Sequence, residues 1–525
     1  MKILVSDNLS PAGIEILQNE DGINVDVKIG MPREELIRTI PEYDGLLVRS
    51  ATKVTREVIE AARILKVVGR AGIGVDNIDL DAAGKKGIIV MNAPEGNVIT
   101  TAEHTMALML SMARNIPQAN ISLKNKEWSP KSFMGVELYQ KTLGIIGLGR
   151  IGSVVAERAK GFQMKVLAFD PYIQKERADK LGVEVMELKE LLQRSDYLTL
   201  HTPGISGKPL LSEPEFSLMK PGVRIVNCAR GTLIDEKALI DAIRSKKVAQ
   251  AALDVYSKEP LSPTSPLLGM KEIICTPHLG ASTEEAQEKV AVAICDQMID
   301  YLKYGNVRNA INMPAIDAET LNKIKPYLVL GEDLGLFVSQ LIDGPIQKVE
   351  IQYNGEIARE NVEPITISLL KGLFTRSIDG INMVNAPYIA KERGVQVQES
   401  KSNEIREYRN TIQVRVSTQQ GTRFIIGSIF GKGDPRIVQI DEYCFEAVLS
   451  KHMLVLNNMD FPGVIGNLGN ILGKNNINVA GFHLGRLKEG GKAVAVINID
   501  SPPTSETLRE VRETPNILSV KSVTL

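Results

Sequence analysis

Histidine and cysteine are scarce in this chain, with 5 and 4 respectively among 525 residues. The four cysteines, Cys228, Cys275, Cys295 and Cys444, make no CxxC pair and no dense framework. That spacing excludes a disulfide-stapled secreted module and a cysteine-held structural metal, and it suits a reducing compartment. An excess of one charge is also lacking: 62 Lys and Arg face 63 Asp and Glu, giving a net charge of -1. Without a block of like charges, neither nucleic acid nor an anionic membrane is an expected partner. Long apolar runs are missing as well. The most apolar helical stretch, TMALMLSMA, meets Arg114 and Asn115 before it could cross a bilayer. The N-terminal MKILVSDNLS begins on a strand pattern rather than a leader, so the expected location is cytoplasmic.

What is present is a multidomain pattern, since 525 residues with 43% hydrophobic content can bury several cores. The first part alternates β-rich runs (KILVSD, GLLVRS, KVVGRAG, GIIVMNAP) with amphipathic stretches such as PREELIRTI and TREVIEAARIL. A second series runs from TLGIIGLGRIG through KVLAFDP, YLTLHTP, RIVNCARG and AQAALDVY to EIICTPHLG. Both predict parallel sheets covered by helices, with the unusual residues at the carboxyl ends of the strands, where doubly wound sheets bind ligands. STEEAQEKVAVAICDQMIDYLKYG then predicts one long helix, opened by a Ser282/Glu285 capping box and closed by Gly305. NVRNAINMPAID reads as a linker, and residues 320–450 as an α+β region with a hairpin in TIQVRVSTQQGTRFIIGSIFG. The last 70 or so residues have a strand–helix–strand–strand–helix–strand order, which predicts a ferredoxin-like module.

The hexamer GLGRIG places Gly147, Gly149 and Gly152 after an apolar strand and before a helix. Alone the pattern is weak; in this context it predicts a sharp turn that brings a pyrophosphate to backbone N–H groups at a helix N-terminus. Asp170 ends the next strand, 18 residues beyond Gly152. A carboxylate there accepts from ribose hydroxyls and repels a 2′-phosphate, which selects NAD over NADP. Its plain alternative is a turn residue before Pro171.

Three further strand ends carry Arg230, Glu259 and His278. Oxidising a secondary alcohol with NAD needs a base for the hydroxyl proton, and histidine titrates in the right range. A carboxylate on the other ring nitrogen would fix the tautomer, and a guanidinium fork would hold a substrate carboxylate. Taken singly, each has a structural alternative: a capped turn for His278, a surface cation for Arg230, a solvated loop for Glu259. Their joint placement at the ligand edge of a nucleotide-binding sheet favours the catalytic reading.

GLGRIG, FDP, HTP, VNCARG, ALDVYSKEP and CTPHLGAST together resemble the D-isomer-specific 2-hydroxyacid dehydrogenases, and LLVRSATKVT, VVGRAGIGVDNID and MNAPEGN point to a phosphoglycerate-oxidising branch with a long C-terminal extension. The resemblance covers essentially the whole chain. It implies a two-lobed α/β catalytic unit, with a Rossmann-type nucleotide lobe (96–280) inserted into a flavodoxin-like substrate lobe (1–95 and 281–310), then an α+β intervening domain (315–450) and a ferredoxin-like ACT domain (452–525). It places the catalytic groups on Arg230, Glu259 and His278, and NAD contacts on the three glycines, Arg150, Ile151, Asp170, His201, Thr202 and Pro203. Further NAD contacts fall on Cys228, Ala229, Arg230, Asp254 and the stretch His278, Leu279, Gly280 and Ala281, with Ile73 reaching from the other lobe. Substrate contacts fall on Arg49, Ser50, Gly74 and Asn97. The implied reaction is NAD-dependent oxidation of 3-phospho-D-glycerate to 3-phosphooxypyruvate, the first step towards L-serine, with no metal.

For the C-terminal module the resemblance implies an amino-acid effector, L-serine, contacting Asn458, Asp460 and Asn478. A purely structural pairing module is the alternative. Pairing of ACT modules and of catalytic lobes would together build a homotetramer. His104 reads as a packed core or lobe-interface residue rather than a second catalyst, His201 as a neighbour of the nicotinamide loop, and His452 and His483 as residues without metal-ligand spacing. Two other functions share much of this pattern: oxidation of another D-2-hydroxy acid such as glycerate or 2-hydroxyglutarate, and a catalytically silent NAD-sensing interaction protein.

Overall fold

The computed structural model describes residues 1–203, 208–314, 318–405, 407–431 and 433–525. Residues 315–317, the end of the expected linker and the start of the expected intervening domain, lie outside them.

Four sheets organise the chain. The first is parallel, in the order β2-β1-β3-β4-β5, from β1 (Lys2–Val5), β2 (Asn24–Val27), β3 (Gly45–Val48), β4 (Val67–Arg70) and β5 (Ile89–Asn92). That is the flavodoxin-like order. The strand pattern read from the sequence lacks β2, because this edge strand carries only two apolar residues, Val25 and Val27, and has no buried position. The other four strands are buried runs of Val, Ile and Leu, as parallel strands covered on both faces must be.

The second sheet comprises β6 (Thr142–Ile146), β7 (Lys165–Phe169), β8 (Glu184–Val185), β9 (Tyr197–Leu200), β10 (Val223–Asn227), β11 (Val248–Leu253) and β12 (Ile273–Cys275). Its order is β12-β11-β10-β9-β6-β7-β8, so the direction of winding reverses between β6 and β9, where such sheets bind dinucleotides. Two helices join the sheets. Val98–Ala113 packs Ala102, Met106 and Met109 into the core of the second sheet. Glu284–Tyr304 returns and lays Ile294 and Met298 across the first. The fit is close: a Cβ added to Gly69 would lie 2.5 Å from the Met298 sulfur.

That returning helix starts one residue later than expected. Thr283 is its cap and accepts from the Ala286 N–H at 3.2 Å, whereas the Ser282 N–H is drawn into the preceding turn by the Leu279 carbonyl. Gly305 ends the helix in the left-handed conformation, a position that disfavours any Cβ.

The third sheet runs β14-β13-β15-β16-β17-β18, from β13 (Ile346–Gly355), β14 (Gln396–Ser402), β15 (Asn410–Thr418), β16 (Gly421–Phe430), β17 (Asp434–Ile440) and β18 (Tyr443–Val448). The fourth runs β20-β21-β19-β22, from β19 (His452–Met459), β20 (Val479–Arg486), β21 (Lys492–Ile499) and β22 (Ile517–Thr524). Together with the helices Val464–Lys474 and Ser505–Glu513 this is the ferredoxin-like arrangement. One face of the fourth sheet covers these helices, while Met453, Val455, Val496 and Val523 on the other join the core of the third sheet. Among the described residues, no helix is long and apolar enough to cross a membrane.

Candidate active site

The carboxyl edges of the first two sheets face each other across a cleft of about 1000 Å³. The first sheet contributes Arg49, Ser50, Ile73 and Gly74, and the joining helix begins beside Asn97. The second contributes Ile151, His201, Thr202, Pro203, Cys228, Ala229 and Arg230, followed by Glu259, His278, Gly280 and Ala281. Gly147, Gly149, Arg150, Gly152 and Asp170 form the adjoining turn rather than the cleft wall, Asp254 is buried beneath it, and Leu279 is 40% exposed.

The glycine turn fits a pyrophosphate. Gly147 has φ +94°, and a Cβ on Gly152 would sit 2.1 Å from the Gly147 carbonyl oxygen, so glycine is required at both. Nothing lies within 4 Å of a Cβ position at Gly149, where the helix Arg150–Gly161 opens towards the ligand side. Asp170 is at the end of β7; one carboxylate oxygen accepts from Leu148 N at 2.8 Å and the other from Tyr172 N at 2.9 Å. The glycine turn and the Asp170 carboxylate are therefore fixed to each other.

His278 Nδ1 lies 2.7 Å from Glu259 Oε2, and Glu259 Oε1 accepts from the Tyr256 N–H at 3.1 Å. In the neutral imidazole this arrangement places the proton on Nδ1 and leaves Nε2 as the acceptor. The hydrogen bond to Glu259 raises the His278 pKa above its ordinary 6.5, against the opposing effect of burial. For Glu259 burial acts upward, but the bonds from His278 and the Tyr256 N–H outweigh it and hold the carboxylate below its usual range.

His278 also has φ +55°, unusual for a residue with a side chain. The conformation is held from below by Asp254, which is fully buried and accepts from Leu279 N at 2.7 Å and Gly280 N at 2.8 Å. Thr276 Oγ1 donates to the same carboxylate at 2.6 Å, and His104 Nε2 lies 3.2 Å from it. Burial would raise the Asp254 pKa; His104, Thr276 and the backbone donors lower it instead. Thus Asp254 spends its oxygens on shaping the His278 turn, with the His104 ring packed against it.

Arg230 is positioned by Asn227, a buried residue that accepts from Ala229 N at 3.0 Å and donates to the Arg230 carbonyl at 2.9 Å. Its guanidinium reaches the opposite lobe, with Nε 3.1 Å from Asp76 Oδ2. A Cβ on Gly74 would meet Arg230 Nη2 at 2.0 Å, so glycine there opens the path for the guanidinium. Arg49 is anchored through its backbone N–H to Asp7 at 2.6 Å and through Nη1 to the Asn8 carbonyl at 3.1 Å.

Sequence reasoning missed Arg70, at the end of β4. It lines the cleft, and its buried Nε has no protein partner. Burial, followed by the nearby Arg230 and Arg49 cations, brings its pKa down to about 10. The available signal was a charged residue at the end of the apolar run KVVGR. Asn97 Oδ1 is likewise buried without a partner at the cleft. Unpaired buried polar groups are costly; an anionic group on a ligand would accept from Arg70 Nε, and a ligand hydroxyl would donate to Asn97 Oδ1. His201 bonds Thr199 Oγ1 at 3.0 Å, and burial lowers its pKa to about 3, so it is a neutral ring at neutral pH. The buried Cys228 thiol is pushed up to about 12, too high for a nucleophile.

In the C-terminal module, Asn458 is buried and donates to the Met459 carbonyl at 3.0 Å; Asn478 donates to Asp500 at 2.7 Å. Asp460, expected to contact the effector, is paired with Arg486 at 2.6 Å.

Residues 106–280 match the family model described as the D-isomer specific 2-hydroxyacid dehydrogenase NAD binding domain, and residues 323–441 match that of the D-3-phosphoglycerate dehydrogenase intervening domain. The chain is 45% identical to D-3-phosphoglycerate dehydrogenase of Archaeoglobus fulgidus, with 100% of both chains covered. It is 43% identical to the enzyme of that name from Bacillus subtilis, covering 100% of this chain and 99% of the relative. Among solved structures, the TT0316 protein from Thermus thermophilus superposes with a TM-score of 0.55 at 33% identity, covering 59% of this chain and 100% of that one. D-lactate dehydrogenase from Aquifex aeolicus, solved with NAD and lactic acid, gives a TM-score of 0.52 at 28% identity over 60% of this chain and 100% of that one.

Proposed function

This chain belongs to the D-3-phosphoglycerate dehydrogenases, NAD-dependent oxidoreductases that convert 3-phospho-D-glycerate to 3-phosphooxypyruvate in L-serine biosynthesis, and we propose that Arg230, Glu259 and His278 carry that chemistry. The observation that carries the assignment is the 2.7 Å contact between His278 Nδ1 and Glu259 at the ligand edge of the nucleotide-binding sheet.

Bound NAD supplies the hydride acceptor. His278 Nε2 takes the proton of the C2 hydroxyl as the C2 hydride departs, so the alcohol loses two electrons and two hydrogens and becomes the ketone. Glu259 stabilises the imidazolium as it forms. Arg230 holds the substrate carboxylate and, in the reverse direction, polarises the C2 carbonyl. Arg49 and Arg70 present two further guanidiniums for the phosphate, and the free Asn97 Oδ1 takes a hydroxyl donor. Gly147, Gly149 and Gly152 would hold the pyrophosphate of NAD, and Asp170 would accept from its ribose hydroxyls. Ile73, Ile151, Thr202, Pro203 and the stretch from Cys228 to Ala229 would enclose the nicotinamide half.

The same proposal divides the chain into lobes 1–95 with 281–310 and 96–280, an intervening domain from 315 to 450 and an ACT domain from 452; the four separate sheets support it. L-serine is proposed as effector at Asn458, Asp460 and Asn478, where it would have to displace Arg486 from Asp460. The proposed homotetramer draws support from exposed apolar side chains on the nucleotide lobe, including Trp128 at 83% exposure and Met134 at 81%. A cytoplasmic location is part of the same proposal, supported by the reduced state that the sparse, unpaired cysteines suit. The test is NADH formation from 3-phosphoglycerate and NAD with and without L-serine. Turnover is expected, lost in His278→Ala while NAD still binds; retained turnover in that variant would refute the assignment. Turnover indifferent to serine would remove the effector proposal alone.

A further inference from the structure

Asp7, just beyond the end of β1, is a buried carboxylate behind the cleft, and the chemistry proposed above makes no use of it. Both of its oxygens are taken up by one turn. Oδ2 accepts from the Arg49 N–H at 2.6 Å, Oδ1 accepts from the Thr52 hydroxyl at 2.6 Å, and the Thr52 N–H lies 3.1 Å from each oxygen. Ser6 donates to the Thr52 hydroxyl at 3.0 Å. From the other side, Asn77 Nδ2 donates to the carbonyls of the same two residues, Arg49 and Thr52, at 2.7 Å each. The turn is thus pinned at both ends, through N–H groups from β1 and through carbonyls from the loop after β4. Between the pins, Ser50 and Ala51 line the cleft beside Arg49, and no acceptor among the described residues takes their N–H groups.

We propose that Asp7 is a positioning residue for substrate recognition. By holding Arg49 and Thr52 it keeps the turn in the form that offers the Ser50 and Ala51 N–H groups, together with the Arg49 guanidinium, to the phosphate of the substrate. The inference rests on the reading of this chain as a 3-phosphoglycerate dehydrogenase and adds to it the group that shapes the phosphate subsite.

Successive N–H groups without internal acceptors are what anion-binding turns present. A carboxylate beneath such a turn would repel the anion unless its charge were answered first. Here the turn's own donors answer it, and Asp7 also acts on the Arg70 cation. Asp7 itself does not line the cleft, so it acts through the turn rather than by contact. The phosphate does not react. A misplaced turn therefore weakens binding of substrate and transition state alike, which raises KM and spares kcat.

Steady-state kinetics of the full-length enzyme tests this with Asp7→Asn, which keeps the shape and exchanges one acceptor oxygen for a donor, and with the pair Thr52→Val and Thr52→Ser. Asp7→Asn should raise KM for 3-phosphoglycerate roughly tenfold, as for loss of one bond to a charged group, with kcat and KM for NAD within about twofold of wild type. Thr52→Val should raise the same KM roughly threefold, and Thr52→Ser, which restores the hydroxyl, should return it to the wild-type value. The Thr52 pair carries the test alone if thermal unfolding shows that Asp7→Asn does not fold. Unchanged KM in Asp7→Asn and Thr52→Val, a parallel rise in KM for NAD, a fall in kcat in place of the rise in KM, or a Thr52→Ser variant as impaired as Thr52→Val would overturn the proposal. A wild-type enzyme that does not oxidise 3-phosphoglycerate would instead refute the functional assignment itself, so the two failures are told apart.

Discussion

Arg230 of the nucleotide lobe and Asp76 of the substrate lobe meet across the cleft at 3.1 Å. Asp76 also acts on the Arg70 cation, and Arg49 lines the same cleft, so this carboxylate shares the space with the guanidiniums proposed to receive the substrate's anions. The pair is accessible to water, with Asp76 at 77% exposure, so its own strength is small.

Asp76→Asn should therefore split the kinetic constants. A more positive cleft lowers KM for 3-phosphoglycerate, while a less constrained Arg230 lowers kcat, each by a few-fold, about what a surface ion pair is worth. Steady-state kinetics at low and high salt would show it; a KM that rises with kcat unchanged would rule it out.

Glu259→Gln should shift the acidic limb of the pH profile. His278 must be neutral to accept the proton, and its pKa is raised by Glu259, so the wild-type limb lies above pH 6.5. Removing the charge should move the limb down and reduce kcat, on the order of 100-fold or more for a disabled general base. An unmoved limb would mean that another group sets it.

The same pair sets a stability window. His278, with a raised folded pKa, contributes stability that is full below its unfolded value and lost as pH rises through the folded one; Glu259, with a lowered pKa, contributes above its unfolded value and loses it as pH falls through the folded one. The Tm difference between wild type and Glu259→Gln should hence be greatest between these two limits and shrink on either side. His201, at about 3, adds nothing to it near neutrality.

Asp254→Ala should be strongly destabilising although no substrate contact is assigned to it. It leaves the N–H groups of Leu279 and Gly280 and the Thr276 hydroxyl without their acceptor, a loss of about 1–3 kcal/mol for each buried group left unsatisfied. Urea unfolding measures it, and exchange protection at residues 278–282 should fall first.

Two glycines of one turn should respond differently. Gly149→Ala meets nothing in the protein and should keep the wild-type Tm while losing NAD affinity, because the methyl group occupies the approach of the pyrophosphate. Gly152→Ala drives a methyl into the Gly147 carbonyl and should cost stability as well, about 1–3 kcal/mol by overpacking. Calorimetry of NAD binding beside thermal unfolding separates the two.

The strand ends proposed to carry the chemistry and the glycine turn were legible in the sequence because their signals are local. GLGRIG, flanked by a strand and a helix, specifies its own turn, and apolar runs that end in Arg230 or just before His278 place those residues on the ligand edge. Strand β2 was not legible, because an exposed edge strand has no burial pattern to display. The cap of the returning helix was misplaced by one residue, since the Leu279 carbonyl competes for Ser282.

Residue types and local periodicity thus determined by themselves the parallel sheets, the dinucleotide turn and which side chains could do the chemistry. Contacts between distant positions decided the rest. That Asp254 supports the His278 turn with His104 behind it, that Arg70 lines the cleft with an unpaired Nε, and that the third and fourth sheets share one core all depend on segments brought together only by packing. Periodicity reports which face of a segment is apolar and carries no record of what that face will meet.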